Sequence, residues 1–218
     1  MTFPGSARME VVMGIPVMVD IRTALPQREL TPLLDDAFGW LTWVGETLAP
    51  EMERFSGGQT IEQIPELIEI QHRCNELFEN TGGWFDRDDH EAYIRGWAVE
   101  RLSRALTNAG AVDHRIDAGG DVRVRGSAAP GRQWRIGVRD PQQGTMRTVL
   151  IARDLAVATV GHVTVSSADL GVAGAYASAM HRMDLARARR FADRLPYRTV
   201  IVTPDGTQEY GGALQLAG

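Results

Sequence analysis

The chain has 218 residues, a net charge of −5 and an apolar fraction of 44%, which suits a globular protein with a full core and excludes a disordered tail. All 23 basic residues are arginine and they are scattered, which argues against an extended basic surface for nucleic acid; the densest group, Arg182 to Arg194, is mixed with Asp184 and Asp193 as on a solvated helix face. A single cysteine, Cys74, excludes an internal disulfide.

The opening MTFPGSARME has neither a charged segment followed by an apolar run nor a lipobox cysteine, and no later apolar stretch is long enough to cross a bilayer, so a cytoplasmic location is expected. Residues 9 to 22 alternate as a strand. Pro26 and Thr31-Pro32 end that run and open a helix over 31–48. Leu33, Leu34, Phe38, Leu41, Val44 and Leu48 form its core face, with Trp40 and Trp43 at the edge of that face. After the Ser56-Gly57-Gly58 loop a second helix runs from Ile61 or Pro65 to Asn80; on it His72 is expected to be satisfied by packing and a backbone partner, and Cys74 to be a buried or half-buried thiol.

A third helix over 90–109 follows from the spacing of Ile94, Ala98, Leu102 and Ala105 or Leu106, with Asp88 and Asp89 at the positive end of its dipole. Val122 and Val124, then Trp134, Ile136 and Val138, alternate on either side of a loop from Gly126 to Gly131, the pattern of two strands joined as a hairpin. Strands are expected at 148–152, 155–159 and 162–166. A helix over 170–194 carries Ala173, Gly174, Ala175, Ala177, Ser178 and Ala179, a small-residue surface suited to close packing on a sheet or to ligand contact. Tyr197 to Thr203 and Thr207 to Tyr210, around Asp205-Gly206, form a terminal hairpin. Together these predict a single α+β domain over residues 1–218, an antiparallel sheet with helices packed on one side.

Most of the residues that look chosen for chemistry lie between Asp89 and Pro141. In Asp117-Ala118-Gly119-Gly120-Asp121 the paired glycines allow positive backbone angles and let a ligand approach the main chain, although taken alone they equally mark a turn. Asp89-His90-Glu91-Ala92-Tyr93-Ile94-Arg95-Gly96-Trp97-Ala98-Val99-Glu100 precedes this segment, and Trp134 to Pro141 and Ala156 to Gly161 follow it.

These four segments, in this order, resemble the FAD:protein FMN transferase family, also called ApbE or thiamine-biosynthesis-lipoprotein type, with its patterns D-x-x-(A/T)-x-x-K-G-(Y/W)-A-V-(D/E), N-A-G-G-D, W-x-(V/I)-G-(I/V)-x-(D/N)-P and A-(V/I)-A-T-S-G. The resemblance extends to Met13-Gly14 and to Thr81-Gly82-Gly83-Trp84-Phe85-Asp86, and it implies a shortened version of a fold with two sheet-and-helix halves, T-fold-like. It also implies FAD contacts at Met13, at Trp84, Phe85 and Asp86, at Asp89, at Arg95, which stands where the family has lysine, and at Gly119 and Gly120. Asp121 and His162 are the implied catalytic candidates.

The family transfers FMN from FAD to a threonine of a partner protein with a divalent cation. Its metal ligands fall on the Ala92 carbonyl, on Gly174 where the family has an acid, and on Ser178 where it has threonine. The family's H-x-(I/L)-D-P-x-T-G loop is missing between Gly161 and Val163, which leaves His162 as its stand-in. FAD is therefore the expected cofactor, Mg²⁺ is not expected to bind tightly, and metal-dependent FMN transfer is expected to be absent or very weak. Three readings stay open: a transferase with a trimmed site, a non-catalytic flavin carrier or regulatory module, and an enzyme of another reaction class reusing the scaffold in a specialised biosynthetic pathway. The expected partners are a flavin nucleotide or other small molecule and a protein substrate, with no nucleic acid and no membrane.

Overall fold

In the computed structural model, which describes residues 5–57, 64–139, 144–204 and 206–211, one plan of hairpin, helices, hairpin occurs twice. The first half comprises β1 (Ser6–Val12), β2 (Ile15–Ile21), α1 (Gln27–Trp43), α2 (Ala49–Ser56), α3 (Pro65–Asn80), α4 (His90–Asn108), β3 (His114–Ala118) and β4 (Asp121–Arg125). A separate hairpin of β5 (Trp134–Arg139) and β6 (Met146–Ala152) follows. The second half is β7 (Asp154–Val160), β8 (Val163–Ser167), α5 (Leu170–Arg182), α6 (Leu185–Ala192), β9 (Arg198–Thr203) and β10 (Gly206–Tyr210). Eight strands make one antiparallel sheet in the order β1-β2-β3-β4-β7-β8-β9-β10, so the halves join where β4 pairs with β7.

Strand alternation sends apolar side chains to both faces of this sheet. Val17, Val19 and Ile21 of β2, Ile116 of β3, Ala156 and Ala158 of β7, and Ile201 of β9 meet the helices. Their neighbours Val122, Val124, Leu155, Val157, Val200 and Val202 face the other way and are covered by Trp134, Ile136, Val138 and Leu150 of the small sheet. The architecture is α+β with the helices on one face of an antiparallel sheet, as the residue pattern predicts.

Four expectations are corrected. Residues 9 to 22 are a hairpin rather than one strand, because Met13 and Gly14 take φ values of 52° and 72°, a two-residue turn that matches the strand twist. The strand 121–125 does not pair with 134–139: β3 and β7 occupy its two edges, and the tight turn falls at Gly119-Gly120, with φ of 65° and 101°. The helix expected over 170–194 breaks after Arg182, because Asp184 caps a new helix by accepting from the Arg187 amide at 2.8 Å. His72 is exposed and pairs with Glu76, Nδ1 to oxygen at 3.4 Å, rather than being packed against the backbone.

The helix predicted over 31–48 begins earlier, at Gln27, with Pro26 as its N-cap and Pro32 in its second turn; Val44–Leu48 continues it as a π-helical turn that leads into α2. Pro50 supplies a cause, since it lacks the amide that would bond the Glu46 carbonyl in α-helical register. Ile61, Asp140, Pro141 and Asp205 lie outside the described residues. Trp40 and Trp43 sit at the core edge as expected, stacked at 5.3 Å, and the Trp40 indole donates to the Ala98 carbonyl at 3.1 Å. Cys74 is buried, and desolvation pushes its thiol up to about 12.

The halves also meet through α4 and α5. A Cβ on Gly96 would lie 2.7 Å from the Gly171 Cα, so the two backbones touch at a point that admits no side chain. Beside it lies a buried polar cluster. Arg123 of β4, 1% exposed, donates from Nε to Glu100 of α4 at 2.7 Å and pairs with Asp154 of β7 at 2.5 Å. Arg125 donates to the other Glu100 oxygen at 3.0 Å and to Ser103 at 3.0 Å, and Ser103 bonds His114 Nε2 at 2.8 Å. His114 Nδ1 lies 2.7 Å from the Ala111 carbonyl; burial holds this histidine down at about 4, so it is neutral, and its Nδ1–H is the donor to that carbonyl.

Candidate functional site

Three hairpin turns line one end of the large sheet: Met13-Gly14, Gly119-Gly120 and Gly161-His162. The Gly119 amide donates to the Pro16 carbonyl at 3.0 Å, and a Cβ on Gly119 would lie 3.4 Å from the Ile15 side chain, which ties the first two turns together. The Thr159 amide, near the third turn, donates to Asp121 Oδ1 at 3.0 Å, just after the second. The first turn of α4 and the Gly174 turn of α5 overhang the same end, because a Cβ on Gly174 would lie 3.8 Å from the Ala92 carbonyl oxygen and 4.0 Å from the Ala158 Cβ.

Between the first turn, the π-helical turn and the start of α4 lies a cleft of about 540 Å³, within the usual range of small-molecule sites. Met13, Gly45, Pro50, Asp89, Ile94 and Arg95 are among its walls, with Glu53, Asp88 and Glu91 adding carboxylates. Two features that concentrate at functional sites coincide here: a non-glycine residue at positive φ, Met13, and a π-helical turn. Gly45 makes them compatible, since any Cβ there would press on Met13 Cγ at 3.0 Å. The cleft is therefore a built hollow.

Of the residues singled out in the sequence, Met13, Asp89 and Arg95 share this cleft. Asp89 stands at the N-cap of α4 without capping it, and its carboxylate instead takes a 2.5 Å bond from Arg182 Nη2. Arg95 pairs with Glu91, an exposed partner one turn earlier, at 3.2 Å. Asp86 lies at the outer rim, with Arg182 at 3.9 Å, and Trp84 lies under the Arg187 guanidinium at 5.0 Å. Phe85 departs from expectation: its side chain is fully buried in the core and its amide donates to Thr81 Oγ1 at 2.9 Å, so only its backbone is available to a ligand.

Asp121 is the most perturbed carboxyl at this end of the sheet. Desolvation raises it to about 6, opposed by the bond from the Thr159 amide and by the charge of Arg95. His162 lies on the third turn with its Nδ1 3.3 Å from His181 Nδ1; burial and then His181 lower its pKa. His181, Arg182 and the Gly45–Pro50 turn carry no recognisable pattern in the sequence and enter the site only through tertiary contacts.

At the metal-ligand positions implied by the family resemblance the donor set is thin. The Ala92 carbonyl and Gly174 are adjacent, but glycine brings no carboxylate. Asp169 does not replace it: one oxygen caps α5 by accepting from the Val172 amide at 3.1 Å, and the other pairs with Arg104 at 3.1 Å. Among the described residues, no three His, Cys, Asp or Glu side chains group as a metal site. These residues do not fit a tightly held Mg²⁺, which is usually bound through at least one carboxylate.

Residues 89–165 match the ApbE family. That match spans about a third of the chain. The matched stretch also resembles the FAD:protein FMN transferase of Vibrio cholerae serotype O1, 27% identical over 88 residues, which cover 37% of this chain and 26% of that protein. Solved ApbE structures share the fold across nearly the whole chain. The apo flavinyl transferase ApbE of Pseudomonas stutzeri superposes with a TM-score of 0.82 at 15% identity over 100% of this chain and 99% of its own. The ApbE protein of Thermotoga maritima gives 0.79 at 14% over 94% and 97%, and the flavin transferase ApbE of Vibrio cholerae 0.75 at 15% over 96% and 98%. At such identities the likeness shows the fold. Among the described residues no helix is long and apolar enough to cross a membrane.

Proposed function

We propose that this chain binds FAD in the cleft at the start of α4 and that its FMN-transfer activity is absent or very weak. The observation that carries the reading is the meeting of Met13, Asp89 and Arg95 around one hollow, from segments far apart in the chain. Arg95 is the arginine of the cleft wall, loosely tethered and free to turn its guanidinium to a phosphate. Asp89 takes a polar edge of the nucleotide with its Oδ1 while Arg182 holds Oδ2, and Met13 supplies apolar contact.

For chemistry, Asp121 and His162 are the proton-handling candidates. Asp121 is poised by its raised pKa, and burial lowers the pKa of His162. What is missing is the carboxylate that would keep a divalent cation beside the diphosphate, since Gly174 stands there. Weak or absent transfer to a threonine-bearing protein follows from that gap. The location we propose is cytoplasmic.

Titration of the purified protein with FAD, followed by flavin fluorescence, tests binding; no saturable change at micromolar protein would refute it. Transfer is tested by FAD turnover with and without Mg²⁺ in the natural chain and in Gly174→Asp. A Cβ at 174 has room beside the Ala92 carbonyl, so the variant is sterically acceptable. Activity confined to Gly174→Asp is expected, and robust Mg²⁺-dependent turnover by the natural chain would overturn the claim of a weakened site.

A further inference from the structure

The geometry points to a transition-metal site, with Zn²⁺ as its natural probe, formed by His162 on the β7–β8 turn and His181 in the last turn of α5. The two Nδ1 atoms are 3.3 Å apart with the rings at 61°. A direct N–H···N bond at that length would be long, whereas two imidazoles bound to one tetrahedral zinc through bonds of about 2.0–2.1 Å have their nitrogens about 3.3 Å apart. The spacing thus suits a shared ion better than a shared proton.

Both rings are placed by the fold rather than by each other. A Cβ on Gly161, at φ 55°, would run into the His181 imidazole, so the ring lies flat over a glycine that leaves it room. The His162 carbonyl accepts from the Val202 amide at 2.9 Å, which anchors its turn to β9. His181 also lies near the C-terminal carbonyls of α5, where the helix dipole favours a cation. The adjacent Arg182 is directed to Asp86 and Asp89, and its charge is offset there.

Gly174, Ser178 and His181 follow at i, i+4 and i+7 on α5, a single helical stripe. The histidine pair therefore lies about two turns along the same stripe from the position that lacks its acid, and about 10 Å further on. Among the described residues no third His, Cys, Asp or Glu completes the set. The remaining coordination positions are open to water or to an anionic oxygen such as a phosphate.

The test is isothermal titration of the full chain with Zn²⁺ alone, without nucleotide, so that its outcome is independent of the flavin reading. One micromolar site is expected, and His162→Ala and His181→Ala should each weaken it by at least the about 10- to 100-fold that even outer-shell changes produce. His72→Ala, on the exposed His72–Glu76 pair, should leave the site unchanged. Zinc-edge X-ray absorption on the natural chain should count two imidazole nitrogens, which guards against a poorly folded variant. No zinc uptake, binding by either variant as tight as by the natural chain, or fewer than two imidazoles at the metal would each overturn the assignment.

Discussion

The two ends of α4 solve opposite problems with the same kind of residue. At its C-terminal half Glu100 is 2% exposed and has both oxygens committed, to Arg123, to Arg125 and, at 3.4 Å, to the Leu170 amide. At its N-terminal end Asp89 and Arg95 are partly exposed and lightly tied, Asp89 to Arg182 and Arg95 to a mostly solvated Glu91. A buried charge with every partner in place has no capacity left for a ligand, whereas a charge on a cleft wall with one weak partner can exchange it. One motif of a dozen residues, Asp89 to Glu100, therefore holds both a wall of the cleft and the bolt between the two halves of the sheet.

If that division is right, the largest effect belongs to the bolt. Glu100→Ala should lower unfolding stability by about 3–5 kcal/mol, because it leaves Arg123 buried with its charge uncompensated on that side. Urea denaturation checks this. Replacing both members, Glu100→Leu with Arg123→Met, should recover most of the loss, which would show the single-variant loss to be mainly that of an orphaned charge. FAD affinity of whatever remains folded should be unchanged.

The mirror-image variant, Arg95→Ala, should lower urea stability by less than about 1 kcal/mol, because its pair with Glu91 is partly solvated. It should weaken FAD binding by about 1.5–3 kcal/mol, roughly 10- to 150-fold in Kd, as loss of a charge-assisted bond to phosphate. An unchanged Kd by fluorescence titration would remove Arg95 from the site and break the comparison at its functional end.

The sequence told these ends apart only in part. Helices α3 and α4 are legible because their apolar spacing and flanking acids are local signals, and Met13, Asp89 and Arg95 are legible from the resemblance of their segments. The pairing of β4 is not legible, since alternation says which side chains share a face but not which strand lies alongside. Gly126 to Gly131 looks as much like a hairpin loop as the true turn at Gly119-Gly120 does. Arg123 reads as an ordinary strand arginine until its face turns out to meet Glu100, and Arg182 and His181 become site residues only because α5 ends over the Gly161 turn.

Between the two ends lies Asp121, half-buried, desolvated in part like the bolt but placed at the turn end like the cleft. Its folded pKa of about 6 lies above the roughly 3.9 of a free aspartate, so between those values the folded chain holds a proton that the unfolded chain has lost. Its contribution to stability is full below about pH 3.9 and is lost as the pH rises through 6. Asp121→Asn can still accept from the Thr159 amide but carries no charge to desolvate. It should flatten that stretch of the stability profile and raise stability above pH 6 by about 1–3 kcal/mol, read from urea melts at pH 5 and 7.5. An identical pH profile in the variant would show Asp121 to be better solvated than its raised pKa implies.

The smallest effect should come from Arg182, and it sharpens the comparison most at the site's rim. Its pairs with Asp89 and Asp86 join side chains that are 42%, 27% and 55% exposed, so the geometry is good but solvent screens it. Arg182→Ala should therefore lower stability by less than about 1 kcal/mol. Its effect on the ligand runs through charge. Without Arg182 the carboxylates of Asp86 and Asp89 join those of Glu53, Asp88 and Glu91 with less positive charge to offset them, and a diphosphate then meets a more negative wall. A loss of about 0.2–1 kcal/mol in FAD binding, no more than about fivefold in Kd, is expected at low salt and should fade as ionic strength rises, because an exposed charge acts at a distance that salt shortens. A tighter Kd in Arg182→Ala would mean instead that the arginine acts as a latch, holding Asp89 away from the nucleotide. A loss as large as that of Arg95→Ala, persisting at high salt, would mean that Arg182 touches the phosphates directly.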